Sequence, residues 1–441
     1  MKIFLFIVCL LCAGYVCRAE SELLLKLQQI KEISDIQRTD VDGFEEYYTF
    51  RYEQPVDHEN PAGVTFKQRV ALGHRSDKAP IVVDLEGYTL KETFKGELVD
   101  LLKANQIRIE HRFFDQSVPE SGIDWNYLTI RQAATDHHNI ITSLKQKLYP
   151  SSKWISTGVS KGGQATIYHR YFYPEDVDVS VPYVAPLNLE QVDPRINKLL
   201  GKLGTNKVGL KDFIWGAGNN TEECFVRVRD FQKLCFENIG ELVTRLESEA
   251  VKKEYAFLLA GGVKRAVELI ILEYQFSYWQ WGYDCMDIPI EFVDLDAIYR
   301  HLVMVSDPTF FEDKNIVKMY PFMYAAFTEI GIYTYNISPF KHYLKDKSDI
   351  TFSFALPKNV ELKPFNKEQM SKINIWLQTE AEQMLFIYGG LDPWSATAVE
   401  LKNNYKCNKY VKSDKHHGCR IKDFEAITRQ DILDTLKEWL K

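Results

Sequence analysis

The hydrophobic pattern of the sequence predicts an α/β fold in which a parallel sheet has helices on both faces. In a first stretch, residues 20–189, short apolar runs typical of strands alternate with longer segments of helical periodicity. The same alternation resumes in a second stretch, residues 371–441. The residues between them, 190–370, have a mostly helical pattern, which predicts one sheet domain interrupted by a helical insertion.

The elements of the first stretch follow one another in regular order. Residues 20 to about 60 are charged and polar, which indicates a leader helix and an extended segment. The predicted strands are residues 70–72, 81–85, 106–111, 154–157 and 179–184. The predicted helices between them are residues 128–149 and 164–173.

The insertion and the second stretch complete the predicted fold. Within the insertion, residues 231–246 and 254–274 have the clearest helical periodicity. The second stretch contains two apolar runs, residues 384–388 and 409–411, and ends in a helical segment, residues 427–440. Strands at both ends of the chain therefore belong to one sheet.

The first 19 residues have the features of a secretory signal peptide. Lys2 supplies a positive charge, residues 3–16 are almost entirely apolar, and Cys17 and Ala19 are small residues before a cleavage site. The apolar run is shorter than the roughly 20 residues that a membrane-spanning helix needs. The sequence therefore predicts an exported protein, secreted or periplasmic, without a stable membrane anchor.

The composition argues against several classes of partner. The 441 residues include 54 Lys and Arg against 61 Asp and Glu, a formal net charge of −7. Because no basic cluster provides the electrostatic footprint of a nucleic-acid-binding protein, we expect no nucleic-acid partner. No Cys and His residues have the spacing of zinc ligands, so we expect neither a metal nor another cofactor.

The cysteines leave the disulfide pattern open. Three of the eight lie in the predicted signal peptide, and the other five are Cys224, Cys235, Cys285, Cys407 and Cys419. Export permits disulfides, and an odd number leaves at least one thiol free or paired with another chain. Cys224 with Cys235, and Cys407 with Cys419, are close enough in sequence to close small loops.

A G-x-S-x-G motif narrows the fold to the α/β-hydrolase type. Residues 158–162 read Gly-Val-Ser-Lys-Gly and lie between a predicted strand and a predicted helix. This context is that of a nucleophile elbow, in which the serine stands on a sharp turn and the glycines avoid clashes. Ser160 is therefore the candidate nucleophile, and the backbone N–H of Lys161 is a candidate oxyanion donor.

A serine nucleophile needs a base and an acid that orients the base. In an α/β-hydrolase these residues follow the serine in the order Asp or Glu, then His. Asp392 comes directly after the strand predicted at residues 384–388, where an orienting acid is expected. Downstream of Asp392 the chain has two histidines, His416 and His417, so one of them is the predicted base.

Five short motifs along the chain occur together in one known family. They are Glu110-His111-Arg112-Phe113-Phe114, Tyr127-Leu128-Thr129, Ser160-Lys161-Gly162-Gly163, Tyr183-Val184-Ala185-Pro186 and Asp392-Pro393-Trp394. Their combination resembles the exported serine exopeptidases that include prolyl carboxypeptidase, dipeptidyl peptidase II and the bacterial tripeptidyl aminopeptidases. The resemblance covers residues 55–186 and 386–421, and the insertion matches loosely at residues 279–285.

The resemblance selects one of the two histidines. In that family, the catalytic His is followed after two residues by a polar or charged residue and then an aliphatic one. His417, with Arg420 and Ile421, fits this frame. Arg420 stands where the prolyl carboxypeptidase branch usually has an acid, which favours the tripeptidyl branch and leaves specificity open.

The resemblance also implies how substrate is held. The insertion would form a helical cap that restricts the active site to chain ends. Acidic residues would bind the free amino group of the substrate, and Glu86, Asp284 and Asp287 are candidates by their neighbourhood. Tyr88, after the strand predicted at residues 81–85, is the expected second backbone oxyanion donor.

We therefore expect a serine peptidase that acts on peptide substrates and releases tripeptides or dipeptides from their N-termini. A proline preference is left open, since Trp279, Trp281 and Trp394 are candidates either for a proline pocket or for the core. The alternatives are an esterase or lipase on the same scaffold, and a prolyl carboxypeptidase-like enzyme that acts on C-termini. A catalytically idle binding protein is a further alternative, against which the intact Ser, Asp and His argue.

Overall fold

The computed structural model of this protein describes residues 21–203, 222–289, 294–345, 347 and 350–441. The predicted signal peptide lies outside these residues. Among the described helices, none combines the length and the apolar character required to cross a membrane.

One mixed sheet of nine strands forms the centre of the described structure, in the order β1-β2-β3-β5-β4-β6-β7-β8-β9. The strands are β1 (Ile33–Arg38), β2 (Glu46–Pro55), β3 (Thr65–His74), β4 (Ile81–Leu85), β5 (Asn105–Ile109), β6 (Trp154–Val159), β7 (Val179–Tyr183), β8 (Leu385–Gly389) and β9 (Asn408–Lys412). From β5 to β9 all neighbouring strands are parallel.

Thirteen α-helices accompany the sheet in the part of the chain that the structure describes. They are α1 (Glu22–Gln28), α2 (Glu97–Leu101), α3 (Ile130–Lys147), α4 (Lys161–Phe172), α5 (Pro194–Leu200), α6 (Glu222–Glu237), α7 (Ile239–Lys253), α8 (Val263–Trp281), α9 (Leu295–Val305), α10 (Asp313–Lys318), α11 (Tyr320–Ala325), α12 (Lys367–Thr379) and α13 (Ala426–Trp439).

Helices lie on both faces of the sheet. Apolar side chains of α3, among them Ile141 and Leu144, pack against one face together with Val83 of β4. On the opposite face, α2 and α13 pack against alternate residues of β4, β6 and β8. Because the parallel strands are covered on both faces, every residue of β4, β5, β7 and β8 is buried. This architecture confirms the predicted α/β-hydrolase class.

The amino-terminal strands differ from the sequence prediction. Residues 20 to about 60 contain two strands, β1 and β2, and the pairs β1–β2, β2–β3 and β3–β5 are antiparallel, so the sheet is mixed rather than purely parallel. The pairing of β2 with β3 extends from Glu46–His74 to Pro55–Thr65. The burial pattern of β2 alternates, with charged residues at partly or fully exposed positions, so its apolar signal is weak in the sequence.

The helical insertion between β7 and β8 also differs in detail. The helix predicted at residues 231–246 is interrupted at Asn238, between α6 and α7. The helix predicted from residue 254 begins only at Val263, because Gly261 and Gly262 adopt φ values of +92° and +94°, outside the helical region. Helical periodicity continues through both breaks, so the pattern alone does not locate them.

The insertion and the sheet share one apolar core. Residues of α8, such as Ile271 and Trp279, belong to the same buried cluster as Ile167 of α4 and Phe386 of β8. The insertion is therefore packed onto the carboxyl-terminal side of the sheet.

The five cysteines of the described residues, Cys224, Cys235, Cys285, Cys407 and Cys419, are buried, and none of them forms a disulfide there. Neither of the two sequence-adjacent pairings is present as a disulfide. Cys224 instead lies 3.2 Å from the hydroxyl oxygen of Tyr278, whereas Cys407 donates to the carbonyl oxygen of Ala381.

Candidate active site

Ser160 stands on a strained turn between β6 and α4. Its φ and ψ are 58° and −121°, values that a residue with a side chain rarely adopts. Its N–H donates to the carbonyl oxygen of Tyr183, and its own carbonyl accepts from Gln164 of α4, which fixes the turn on both sides. Such strain persists only where the surrounding structure imposes it, and it is typical of functional sites.

The glycines of the motif permit close approach of the backbone. A Cβ atom at Gly158 would lie 2.3 Å from the backbone carbonyl of Gly162. A Cβ atom at Gly162 would lie 2.6 Å from the carbonyl oxygen of Leu85 in β4. The turn can therefore fold back onto its own helix and onto the neighbouring strand only when both positions lack a side chain.

We expect Gly158→Ala to destabilise the protein by about 3 kcal/mol, because the new methyl group meets backbone that cannot move aside. The measurement is thermal unfolding. Gly240→Ala is the matched control, since a Cβ atom there has no neighbour within 4 Å. The control should be neutral or more stable by about 0.5 kcal/mol. Equal unfolding temperatures for the two variants would contradict the tight turn.

Asp392 and His417 form a buried hydrogen bond. The Nδ1 atom of His417 lies 2.6 Å from Oδ2 of Asp392, and the two side chains are 5% and 0% exposed. A carboxylate only accepts, so Nδ1 carries the hydrogen and Nε2 keeps its lone pair. The other oxygen of Asp392 accepts from the backbone N–H of Trp394, which holds the carboxylate in place.

Gly389, the last residue of β8, allows the histidine loop to reach Asp392. A Cβ atom at Gly389 would lie 2.3 Å from the carbonyl oxygen of His416. His416 itself turns away, because its Nδ1 accepts from the N–H of Gly418 and its ring lies against Gly282. Of the two histidines, His417 is thus the one that contacts the predicted acid.

A cavity of about 740 Å³ lies between the carboxyl ends of the strands and the helical insertion. Residues that follow β4, β6 and β8 form one wall, among them Tyr88, Ser160 and Trp394. The opposite wall comes from the insertion, including four residues of α8: Glu273, Ser277, Gln280 and Trp281. The ring of Trp281 also makes an edge contact with the ring of His417, at a centroid distance of 5.9 Å, so His417 adjoins the same cavity.

Lys161 has a buried amino group beside the nucleophile. Its Nζ donates to the carbonyl oxygen of Gly87 at 2.7 Å, and it lies 5.1 Å from the ring centre of Phe114 and 5.6 Å from that of Tyr88. Burial lowers the pKa of this amine well below its usual range. The carbonyl of Gly87 and the N–H of Tyr88 belong to one peptide group, so this contact orients the N–H of Tyr88.

The sequence profile of one family, PS-10 peptidase S37, matches residues 21–425 of the chain. The chain belongs to this family. It is therefore a serine peptidase, and the resemblance found in its motifs is confirmed.

Two peptidases are similar to this S37 peptidase in sequence, and a third is similar in structure. The chain is 28% identical to a prolyl tri/tetrapeptidyl aminopeptidase from Streptomyces mobaraensis over 400 residues, which cover 89% of this chain and 80% of the relative. It is 29% identical to a lysosomal Pro-X carboxypeptidase from Mus musculus over 160 residues, 32% of each protein. Among solved structures, a proline iminopeptidase from Mycobacterium smegmatis matches with 11% identity and a TM-score of 0.43, covering 88% of this chain and 98% of that one.

Several residues singled out in the sequence lie away from the cavity of this S37 peptidase. Glu86 pairs with the guanidinium of Arg108, and burial raises its pKa. Asp284 and Asp287 are exposed, and Asp284 accepts from the N–H of Met286. None of the three is among the residues that line the cavity. Trp279 is buried in the core, whereas Trp281 and Trp394 do line the cavity.

The sequence interpretation missed the buried acid of the cavity, Glu273. One signal was available, because Glu273 directly follows a run of four apolar residues in α8, residues 269–272. An acid beside such a run must be buried with partners or serve a site. Among the described residues, no group of three or more His, Cys, Asp or Glu side chains is arranged to hold a metal ion.

Proposed function

We propose that this S37 peptidase is an exported aminopeptidase that releases tripeptides or dipeptides from N-termini through a Ser160–His417–Asp392 triad. The buried hydrogen bond between Asp392 and His417, beside the cavity that Ser160 lines, is the observation that carries the proposal. An oriented base and a serine held on a strained turn are two of the features that nucleophilic catalysis requires.

The proposed chemistry is acyl transfer in two steps. Nε2 of His417 takes the proton of the Ser160 hydroxyl as Oγ attacks the scissile carbonyl carbon, and it then donates that proton to the leaving amine. Water repeats the sequence on the acyl-enzyme and releases the peptide. Asp392 holds the imidazole in the required tautomer and stabilises its protonated form.

Two backbone N–H groups are proposed to stabilise the oxyanion. Lys161 begins α4, so its N–H has no acceptor within the helix and adjoins Ser160. Tyr88 supplies the second N–H from the loop after β4. The bond from the Lys161 side chain to the Gly87 carbonyl supports this role for Tyr88, because it holds and polarises the same peptide group.

The shape of the cavity supports action at chain ends. The insertion forms the wall of the cavity opposite the sheet, and the volume of about 740 Å³ suits a short peptide. The relative from Streptomyces mobaraensis, a prolyl tri/tetrapeptidyl aminopeptidase, supports release from the N-terminus and a preference for proline. Trp281 and Trp394 are flat surfaces on which a proline ring could stack.

Export is part of the proposal. It rests on residues 1–19, whose short positive start, apolar run and small residues before Glu20 fit a secretory signal. Amino-terminal sequencing of the protein recovered from the native secretory route would test it, with cleavage after Ala19 as the expected result.

A peptide library tests the proposed specificity. The mature enzyme and the Ser160→Ala variant are incubated with mixed peptides, and the products are identified by mass spectrometry. We expect Ser160-dependent loss of two or three residues from free N-termini, with the residue at the cut giving the preference. Loss of single C-terminal residues would place the enzyme with the carboxypeptidases, and cleavage of short acyl esters alone would favour an esterase.

A further inference from the structure

Glu273 is a carboxyl group buried in the wall of the active-site cavity. It lies in the middle of α8, is 5% exposed and is one of two acidic residues that line the cavity, the other being the exposed Asp307. Its position links it to the catalytic residues. Tyr333, which donates to it, contacts the ring of Trp394 at a centroid distance of 5.4 Å, and Trp394 is two residues from Asp392.

The partners of Glu273 satisfy its hydrogen bonds but not its charge. Oε2 accepts from the hydroxyls of Tyr333 at 2.7 Å and Tyr335 at 2.8 Å, and Oε1 accepts from Ser277 at 2.8 Å. A carboxylate has about four acceptor positions, so one remains. Among the described residues, no Lys, Arg or His forms an ion pair with Glu273.

Other buried acids of the fold show that this arrangement is particular. Glu268, one and a half turns earlier in α8, is neutralised by Arg265 at 2.8 Å. Glu329 accepts from the N–H of Ile130 and so holds the first turn of α3. Glu273 has neither a cationic partner nor a hydrogen bond from the backbone N–H groups at a helix end; its partners are three side-chain hydroxyls. Burial raises its pKa to about 7, because a buried carboxylate without a counter-charge is less stable than the neutral acid.

Glu273 and Trp281 lie on the same helix, and both line the cavity. Glu273 precedes Trp281 by eight positions in α8, a rise of about 12 Å along the helix axis, and the ring of Trp281 contacts that of His417. The Glu273 carboxyl group and the catalytic end of α8 therefore face one cavity, into which the free end of a short peptide can extend.

We propose that Glu273, with Tyr333 and Tyr335, binds the protonated α-amino group of the substrate and thereby selects peptides with a free N-terminus. The inference rests on the proposed aminopeptidase function and names the group that selects the N-terminus. The ammonium supplies the missing positive charge and a donor for the free acceptor position.

The test compares substrates with and without a free amino group. For Glu273→Gln we expect kcat/KM on Ala-Ala-Pro-p-nitroanilide to fall about 100-fold, because a buried charged contact is lost. Gln accepts from both tyrosines and donates to Ser277, so the pocket keeps its shape. Hydrolysis of p-nitrophenyl acetate, which has no amine and needs only the triad and oxyanion donors, should change less than about twofold.

The controls use acids outside the proposed contact. Asp307→Asn changes the other acid of the cavity, and Asp284→Asn with Asp287→Asn changes two acids suggested by sequence alone. We expect each of these to retain most of the activity on the tripeptide substrate. An equal loss of ester and peptide hydrolysis in Glu273→Gln, or no loss on the peptide, would overturn the inference.

The wild-type enzyme separates this inference from the proposed function. Hydrolysis of Ala-Ala-Pro-p-nitroanilide, but not of its N-acetylated form, supports both. If the wild type hydrolyses only the ester, the aminopeptidase proposal fails and this inference fails with it. If the wild type releases N-terminal peptides and Glu273→Gln does so equally well, only the role of Glu273 is refuted.

The thermal stability of Glu273→Gln provides a second readout, which we expect to rise while kcat/KM falls. Because the pKa of Glu273 is raised from 4.5 to about 7, its protonated form favours folding at low pH, and this contribution is lost as pH rises through 7. Glu273→Gln should therefore raise the Tm at pH 8 by about 2 °C, and by less at pH 5. A purely structural glutamate would instead lower the Tm when replaced.

The titratable groups that face Glu273 do not contribute to the Tm difference between the wild type and Glu273→Gln. Tyr333 and Tyr335, the titratable groups packed against it, have pKa values that burial raises well above their usual range, so both stay neutral from pH 5 to pH 8. The other ionisable residues that line the cavity are common to both proteins, so their titration cancels in the difference; they are Tyr88, Lys161, Tyr283, Asp307 and Lys318.

Discussion

Replacing Ser160 by alanine should lower kcat by about 10⁶-fold, the largest effect that we expect from any single substitution. The alanine removes the only atom that can form the acyl-enzyme, and the remaining triad members then have nothing to activate. Residual catalysis of about 10³- to 10⁴-fold over water would come from the oxyanion donors and substrate binding. The measurement is single-turnover hydrolysis of Ala-Ala-Pro-p-nitroanilide at pH 8.

Covalent labelling provides the control for this substitution. A fluorophosphonate should label the wild type at Ser160 and should not label Ser160→Ala, since the reagent needs an activated serine. Thr309→Ala removes another hydroxyl of the same cavity and should keep full labelling. Labelling of Ser160→Ala at a different serine, with activity retained, would show that the nucleophile lies elsewhere.

We expect Asp392→Asn to lower kcat by about 10⁴-fold while the protein stays folded. The amide is close in shape to the carboxylate, but its NH₂ group can donate to Nδ1 of His417. The imidazole then carries its hydrogen on Nε2, where the base must accept the proton of Ser160. The measurement is kcat at pH 8 for the same substrate, together with the unfolding temperature.

Asp414→Asn is the matched control for this prediction. Asp414 lies in the same histidine loop, but its carboxylate pairs with Lys412 at 2.7 Å and does not contact His417. Loss of such a partly exposed pair should cost less than about 1 kcal/mol and leave kcat nearly unchanged. A fall of less than tenfold for Asp392→Asn would mean that another group orients His417.

The nucleophile turn could be predicted from the sequence because its constraints are local. Gly158, Ser160 and Gly162 are within five residues of one another, and the two closest contacts of a Cβ atom at Gly158 would be with Gly162. The strands β4 to β8 were likewise visible as short segments rich in apolar residues, since parallel strands covered on both faces bury most of their side chains. Family membership followed from motifs of this local kind.

Groups that meet across the fold could not be placed in this way. Asp392 and His417 are separated by 25 residues, and their contact depends on how the loop after β9 lies against Gly389. Glu86 follows a strand in the expected region, but it forms an ion pair with Arg108 of the neighbouring strand. The three acids suggested by sequence neighbourhood do not line the cavity, whereas α8 brings Glu273 to it from the insertion.

The sequence by itself thus determined the fold class, the family and the nucleophile turn, because each depends on periodicity or on contacts within a few residues. The tertiary structure alone decided the antiparallel order of β1 to β3, the breaks around α7 and the acid that faces the cavity. These depend on which distant surfaces become neighbours on folding. The pKa of Glu273 is raised only because the fold removes water from the carboxyl group and surrounds it with three hydroxyls and no cation.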